Sequence, residues 1–491
     1  GDGEAEERIC VLVNRSLSDV HEVRLPMVAE LCDDLVSGRV PERDGDEVVV
    51  TLGQLGSALL YFHGPSPLAK PFERGLGVMC HITSLPREEG PGTLGPEAYD
   101  FVDWLERCHQ GYWQVLPVNP TDSFGSPYAG LSAFAGNTAL VDGCGRTPEG
   151  LWEAWRAKGV AGLPAGLAGR GRVDERVFTE ARLSAFSEAN ADWLDPYCAF
   201  MTVRDAVAAG EVAVEADDGV PLESVAWQDW PARYREYSPA LLDDPVLAGR
   251  VGFHRFCQWV FQEQWDGLKA YANDRGVSLI GDMPMYVSED SADTWANREV
   301  FNLGEDGRKD ESAGVPPDAF APEGQLWGNP TYDWDRLADD GYGWWVERLR
   351  RAFELYDHVR LDHFVGFENY YSVPAGKKAT EGRWLPGPGK ALFERAAEVF
   401  GPLPVIAEDL GTITPAIRGL VAQCGFPGMD VLEFADADLR GGYAPTPGKV
   451  AYTSTHDTDT LLGFVRSAYG IADDNEALTV AERIMADALR S

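Results

Sequence analysis

The hydrophobic residues of this chain follow two different patterns, and the pattern changes near Gly75. Before that point, short runs rich in β-branched and aromatic residues alternate with polar turns such as PERDGDE, which is typical of a small antiparallel β protein. The runs are ICVLVNRS, HEVRLP, EVVVTL and SALLYF. We therefore predict an all-β sandwich over residues 1–65 and a Pro-rich linker over residues 66–75.

After Gly75, short apolar runs alternate with helical stretches, which is the pattern of repeated βα units. The runs are GVMCHI (77–82), YWQVLPV (112–118), VSLIGDM (277–283), HVRLDHF (358–364), LPVIAED (403–409), GMDVLEF (428–434) and KVAYTSTHD (449–457). This predicts the α/β class, with a (β/α)8 TIM barrel over residues 76–491 and a mostly helical insertion at about 145–250.

The number of runs raises a question about the completeness of this barrel. A closed barrel of this kind has eight strands, and no β-like run follows Asp457. We therefore expect the barrel to lack its last strand in this chain, so that its first and seventh strands expose edges. The chain would then be a fragment with poor activity.

The helical stretches have clear ends. HRFCQWVFQEQWDGLKAYANDRG is one such stretch, and Gly276 is placed where a helix would stop. GYGWWVERLRRAFELYD and GKALFERAAEVFG are two others. Each of the three precedes one of the predicted strands.

Charge and cysteine usage narrow the possible partners. There are 42 Lys and Arg residues against 79 Asp and Glu, a net charge of −37, which disfavours nucleic acid and anionic membranes and favours a neutral substrate. The eight cysteines lack metal-ligand spacing and indicate a reducing compartment such as the cytoplasm. Neither a membrane span nor a signal peptide is apparent in the sequence, and no cofactor motif is found.

Most of the predicted barrel strands turn polar at their C-terminal ends. His81, Asp282, Asp362, Glu408 and Asp457 all lie near such ends. A barrel of this class has its active site there. A single carboxylate at such a place could instead cap the next helix, but several in succession favour chemistry. Carboxylates without a metal or phosphate motif point to glycoside chemistry, which needs two carboxyl groups around the sugar bond.

The spacing around Asp362 suggests separate roles for the acids. Arg360 lies two residues earlier, so on a strand its side chain shares a face with Asp362 and would keep that carboxylate ionised, as a nucleophile requires. Glu408 is the candidate proton donor, held protonated by a less polar setting. Asp409 points to the opposite face of its strand and is expected to be structural.

From about Gly75 onward the chain resembles the 4-α-glucanotransferases (amylomaltases, or disproportionating enzymes) of the α-amylase clan. The resemblance is carried by several stretches in the family's order: SLP, YWQVLPVNP, SPYAGLSAFAGN, LIGDMPMYVSEDSADTWAN, GVPPDAFAPEGQLWGNPTYDWD, VRLDHFVGF, AEDLGTITP and TSTHDTDT. It implies transfer of α-1,4-glucan segments to the 4-hydroxyl of an acceptor glucan or glucose, with retention and without a cofactor.

The resemblance also implies roles for individual residues. Asp362 matches the nucleophile, Glu408 the general acid/base and Asp457 a third carboxylate that holds sugar hydroxyls. Seven further residues match substrate contacts: Tyr128, Asp282, Gln325, Trp327, Arg360, His363 and His456. Gln325 and Trp327 match a mobile loop that covers the cleft. No metal site is implied, and the expected ligands are maltooligosaccharides and α-1,4-glucans.

The first 65 residues are similar in pattern to the β-sandwich that ends α-amylase-type hydrolases. Such a sandwich normally follows a barrel, so its position here suggests fusion to an upstream α-amylase-like enzyme. Two alternatives to a transferase stay open from the sequence. The chain could be an α-glucan hydrolase of the same clan, or a glucan-binding fragment with impaired catalysis.

Overall fold

A computed structural model of the chain describes residues 8–27, 29–64, 66–164, 166–167, 178–214, 221–317, 321–435, 439–443 and 445–490. The contacts divide the chain into two compact units. The first unit comprises Gly1–Phe72, Leu361–Asn369 and Pro388–Ser491, and the second comprises Glu73–Arg360 and Tyr370–Gly387. Each unit is described by itself below.

The described residues contain the following β-strands: β1 (Arg8–Val13), β2 (His21–Pro26), β3 (Leu31–Asp34), β4 (Glu42–Asp44), β5 (Glu47–Leu52), β6 (Ser57–His63), β7 (Gly77–Met79), β8 (Tyr112–Gln114), β9 (Ser278–Met283), β10 (Glu311–Val315), β11 (Gln325–Pro330), β12 (His358–Leu361), β13 (Asn369–Pro374), β14 (Arg383–Pro386), β15 (Val405–Ala407), β16 (Gly428–Val431) and β17 (Lys449–Tyr452).

They contain the following α-helices: α1 (Pro96–Arg107), α2 (Pro148–Lys158), α3 (Glu180–Ala189), α4 (Ala191–Ala208), α5 (Ala248–Asn273), α6 (Ala292–Ala296), α7 (Trp334–Asp339), α8 (Gly343–Leu355), α9 (Lys390–Phe400), α10 (Pro415–Cys424), α11 (Leu461–Tyr469) and α12 (Asp474–Arg490). Gly276 and Gly401 follow α5 and α9 with φ of 74° each, so both helices end at glycines that accept a left-handed backbone.

The N-terminal part of the first unit is built from two three-stranded sheets, in the orders β1-β6-β3 and β2-β5-β4. Their apolar residues share one core, with Leu60 fully buried and Val48, Ala58 and Phe62 nearly so. The sequence predicted four of these strands and missed β3 and β4. Their sequences, LCDD and ERD, are short and polar, and every residue of β4 is exposed, so neither shows a hydrophobic pattern.

The predicted linker is held against the rest of the first unit. Lys70 donates its backbone N–H to the Leu403 carbonyl at 2.9 Å, and Leu403 donates to Leu68 at 2.7 Å. Arg418 on α10 also donates its Nη1 to the carbonyls of Leu35 and Val36, at 3.0 and 2.6 Å. The segment 66–72 therefore extends the pairing next to β15 instead of forming a free tether.

The second unit contains a parallel sheet in which β12, β9, β8 and β7 are neighbours in that order. β7 pairs with β8, and β8 with β9, both in parallel register. β7 has no buried residue, but the other three strands are buried on both faces: Trp113 and Val359 are fully buried, and Leu279 and Leu361 are 1% exposed. Such two-sided burial is typical of parallel sheets covered by helices.

The predicted insertion at 145–250 is helical, with α2, α3, α4 and several short 3-10 turns in its described residues. Its aromatic side chains build a core with α6: Phe200, Trp227 and Trp230 are fully buried, and Trp295 is 1% exposed. This packing ties the insertion to the loop that follows β9.

A four-stranded antiparallel sheet, in the order β11-β10-β13-β14, was not predicted. Gln325 and Trp327 were expected in a loop, and that expectation is wrong, because the stretch QLWGNP forms strand β11 of this sheet. β11 is the edge strand of this sheet, where a proline costs no ladder hydrogen bond, and the register slips between Ser312 and Gly314 of β10.

The first unit also holds β15, β16 and β17, and β16 pairs in parallel with β17 from Gly428↔Lys449 to Val431↔Tyr452. Seven of the described strands, β7, β8, β9, β12, β15, β16 and β17, correspond to the seven predicted barrel runs. Each is shorter than its run. In the part of the chain that the structure describes, no helix is both long and apolar enough to cross a membrane.

Candidate active site

Asp362 and Glu408 each come directly after the last residue of a strand, as predicted. Asp362 follows Leu361 of β12, and Glu408 follows Ala407 of β15. The Glu408 backbone N–H donates to the Leu361 carbonyl at 3.1 Å, so the two acids begin from hydrogen-bonded backbone positions. The structure therefore brings these two predicted catalytic residues together in the first unit.

His363 shapes the turn between these acids. Its φ and ψ of 50° and 46° are left-handed, which is uncommon for a residue with a side chain, and it begins the 3-10 turn Phe364–Phe367. In this conformation its backbone N–H donates to Glu408 Oε2 at 2.5 Å. Burial lowers the pKa of the His363 imidazole to about 4, so the ring is neutral at neutral pH.

The hydrogen bond from the His363 N–H affects the protonation state of Glu408. An N–H that donates to a carboxylate favours the ionised form, whereas the sequence reasoning expected an acid kept protonated by an apolar setting. The bond occupies Oε2 and fixes the direction of the carboxyl group.

Asp457 and His456 lie in the loop after β17. Their side chains approach each other, His456 Nε2 to Asp457 Oδ2 at 3.2 Å, and the Asp457 side chain is 73% exposed. The Asp457 backbone N–H donates to Thr455 Oγ1 at 3.2 Å. The described contacts of Asp457 are thus within its own loop, whereas Glu408 is hydrogen-bonded to Leu361 and His363.

In the second unit, three predicted substrate-binding residues form one buried network. Arg360 Nη1 donates to Asp282 Oδ1 at 2.6 Å, and Tyr128 Oη donates to Asp282 Oδ2 at 2.6 Å. The side chains of Arg360 and Asp282 are only 4% and 1% exposed. From the sequence, we predicted that Arg360 would lie beside Asp362. The structure instead pairs Arg360 with Asp282, which lies 78 residues earlier in the chain.

Gln325 and Trp327 lie together on β11, where Trp327 Nε1 donates to Gln325 Oε1 at 3.1 Å. Trp327 is 37% exposed, and its ring lies 6.0 Å from that of Tyr286, centroid to centroid. Tyr286 in turn lines a small cavity with Tyr128. The exposed Trp327 indole is therefore next to Tyr286, which also borders the small cavity.

The sequence reasoning missed two contributions to the site. Tyr286 lies within the quoted stretch DMPMYVSED but was not singled out, although an aromatic side chain beside strand-end acids was a usable signal. Lys449 on β17 was also missed; its Nζ pairs with Asp409 Oδ2 at 2.5 Å, and the Met429 N–H donates to Asp409 Oδ1 at 2.7 Å. These contacts give Asp409 the structural role that its strand face predicted.

Comparison with known proteins identifies relatives for most of the chain. A family model described as 4-alpha-glucanotransferase matches residues 80–489. The 4-alpha-glucanotransferase of Thermus thermophilus is 42% identical over 80% of this chain and 80% of its own length. That of Streptococcus pneumoniae serotype 4 is 40% identical over the same shares.

Solved structures agree with this result. An amylomaltase from Streptococcus agalactiae in complex with acarbose matches with a TM-score of 0.68 and 34% identity, over 82% of this chain and 83% of its own. An amylomaltase from Corynebacterium glutamicum shares the fold over 99% of this chain and 74% of its own, with a TM-score of 0.59 and 19% identity. These matches confirm the predicted TIM-barrel class and the transferase function, and this chain belongs to the 4-alpha-glucanotransferase family.

Proposed function

We propose that this chain transfers α-1,4-glucan segments by a double displacement in which Asp362 is the nucleophile and Glu408 the acid/base. The observation that carries the proposal is the juxtaposition of the two acids, whose strand ends are joined by the Glu408 N–H to Leu361 carbonyl bond. A pair of carboxyl groups at the ends of adjacent strands is the arrangement that a retaining mechanism needs, with a separation of about 5–5.5 Å.

The first displacement cleaves the donor glucan. Glu408 gives its proton to the glycosidic oxygen while an Asp362 oxygen attacks the anomeric carbon, so the carbon–oxygen bond breaks and a glycosyl ester forms. The His363 N–H keeps Glu408 oriented during this step, because it donates a hydrogen bond to Oε2. The neutral His363 ring adds no positive charge beside the two acids.

The second displacement delivers the segment to an acceptor. The acceptor's 4-hydroxyl gives its proton to the ionised Glu408, and its oxygen attacks the anomeric carbon and releases the Asp362 carboxylate. Both acids then return to their starting states. Water would give hydrolysis at this step, so a transferase needs the acceptor sugar to displace water from the site.

The remaining predicted residues take binding roles by their resemblance to the family. We assign Tyr128, Asp282 and Arg360 to a rigid polar contact with the sugar at the cleavage point, and Gln325 and Trp327 to substrate cover. His456 and Asp457 would bind sugar hydroxyls from their exposed loop. The buried Arg360–Asp282 pair supports the first assignment, because its geometry is set before a ligand arrives.

The expected substrates are maltooligosaccharides and longer α-1,4-glucans, which are neutral. The net charge of −37 fits a neutral substrate and disfavours nucleic acid. We further propose a reducing location such as the cytoplasm, since all eight cysteines are free thiols. Fusion of the N-terminal sandwich to an upstream α-amylase-like enzyme also stays a proposal.

Product analysis from maltotriose tests the proposal against a hydrolase. Transfer yields glucose together with chains longer than the substrate, whereas hydrolysis yields only shorter products. Asp362→Asn should lower transfer by more than about a thousandfold, because an amide cannot form the covalent ester. Asp335→Asn, at an exposed carboxylate on α7, is the matched control and should keep parental activity.

Retained transfer in Asp362→Asn would refute the nucleophile assignment. Products no longer than maltotriose from the parent chain would favour the hydrolase. A chain that binds glucan but forms no product would favour the glucan-binding alternative.

A further inference from the structure

A larger cavity lies in the second unit, bordered by α4, α6 and α8. Its volume is about 320 Å³, within the range of about 300–1,000 Å³ typical of small-molecule sites. Its lining contains none of the predicted catalytic or substrate-binding residues. We call this cavity the α8 pocket, after the helix whose residues Gly343, Trp344 and Glu347 line it.

Three aromatic side chains of the α8 pocket are held in place by other protein groups. Phe134 and Trp344 meet edge to face, with centroids 5.7 Å apart. Trp193 donates its Nε1 to Asn190 Oδ1 at 3.0 Å, and the guanidinium of Arg351 lies 4.9 Å from its ring centroid. Rings fixed in this way lose little entropy when a ligand stacks on them, and they suit the apolar C–H face of a sugar ring.

The charged groups of the α8 pocket are mostly acidic. Six carboxylates line it: Asp192, Asp293, Glu299, Asp340, Glu347 and Glu354. Its two arginines are already paired, Arg350 with Glu347 at 3.1 Å and Arg351 with Glu354 at 3.4 Å. The excess of acids repels phosphates and other anions, while carboxylate oxygens accept hydrogen bonds from the hydroxyls of a neutral polyol.

We propose that the α8 pocket is an auxiliary binding site for α-1,4-glucan chains, separate from the catalytic residues. The fixed aromatic rings match the C–H faces of a glucosyl unit, and the carboxylate acceptors match the hydroxyls around its rim. The inference rests on the proposed function, since it assigns the second site the same class of ligand. An enzyme with two glucan sites gains affinity for long chains, which can occupy both, and gains nothing for short ones.

Filling the pocket with a bulky side chain provides the test. Gly343 is exposed at the start of α8, and a Cβ built there meets only Asp340 Oδ1, at 4.0 Å, so a side chain can begin there without a clash, and Gly343→Trp is the first blocking variant. Gly249→Trp on α5 is the matched control, because Gly249 is also exposed, a Cβ there meets nothing within 4 Å, and it does not line the pocket. Ala189→Trp, at an exposed position of the lining, is a second blocking variant.

Affinity electrophoresis in gels containing amylose measures binding to long chains, and transfer from maltotriose measures the catalytic site. The parent and Gly249→Trp should be retarded alike, while Gly343→Trp and Ala189→Trp should bind amylose at least about tenfold more weakly. Maltotriose transfer should stay within about twofold of the parent in all variants.

Unchanged amylose affinity in a folded blocking variant would overturn the proposal, as would a parental chain that amylose does not retard. A parallel loss of maltotriose transfer in the blocking variants would place the pocket within the catalytic cleft and would also overturn it. Failure of the proposed function appears elsewhere, as retained transfer in Asp362→Asn, so the two outcomes are distinguishable.

Discussion

Two regions that the family resemblance assigns to the same substrate differ sharply in how they are held. In the second unit, the side chains of Asp282 and Arg360 are 1% and 4% exposed, and both oxygens of Asp282 accept hydrogen bonds. In the first unit, the Asp457 side chain is 73% exposed and contacts its own loop. The fold therefore fixes the geometry of Asp282 and Arg360 before substrate binds, whereas Asp457 becomes ordered only when substrate binds.

The largest expected effect comes from breaking the buried network. Arg360→Leu leaves the Asp282 carboxylate buried without its cation, which should lower the free energy of unfolding by about 3–5 kcal/mol. Arg308→Leu is the control, because its ion pair with Asp229 has the same 2.6 Å length but is about half exposed on both sides. That control should cost less than about 1 kcal/mol. Urea unfolding of both variants measures the difference, and equal losses would contradict the comparison.

His363 sharpens the comparison, because its imidazole is desolvated although the residue lies in the unit of Asp457. Its pKa of about 4 in the folded state is below the ordinary 6.5, so the unfolded chain takes up the proton first. Stability should therefore fall as pH drops from about 6.5 to 4, by about 3 kcal/mol from this group, and change no further below that.

Urea unfolding across this pH range is the measurement. His363→Gln should flatten the pH dependence, and His21→Gln, at an exposed position of β2, should not. A slope that persists unchanged in His363→Gln would assign the effect to other groups.

The smallest expected change in the free energy of unfolding is for Asp457, the exposed member of the comparison. Asp457→Ala should reduce kcat for maltotriose transfer by about a hundredfold, roughly 2.7 kcal/mol, because one group that stabilises the transition state is removed. Its free energy of unfolding should stay within about 0.5 kcal/mol of the parent, since the side chain is exposed. A large loss of stability would mean that Asp457 is held as firmly as Asp282.

Local patterns predicted much of the fold. All seven barrel strands begin at or within two residues of the predicted starts, and α5 and α9 end before glycines with positive φ. The strand ends were less accurate, since β8 stops at Gln114 although its predicted run continues to Val118. Apolar residues continue past a strand whenever the following loop is also buried, so hydrophobicity alone cannot mark where the ladder stops.

Two of the strands that the sequence did not predict, β4 and β11, were missed for the same reason. β4 has no buried residue, and β11 holds a glycine and a proline, so neither has the composition of a strand. Each forms because a partner strand supplies hydrogen bonds, β5 for β4 and β10 for β11. Pairing with a neighbour overrides local propensity at such edges.

The apolar runs are enough to show which acids lie at or just beyond strand ends, and the motifs identify the family. The partners of these side chains follow from the folded structure: Asp282 for Arg360, the His363 N–H for Glu408, and Lys449 for Asp409. Strand ends are local features, because they depend on where an apolar run stops. Partners depend on contacts between residues 40 to 78 positions apart, which the fold alone brings within hydrogen-bond reach.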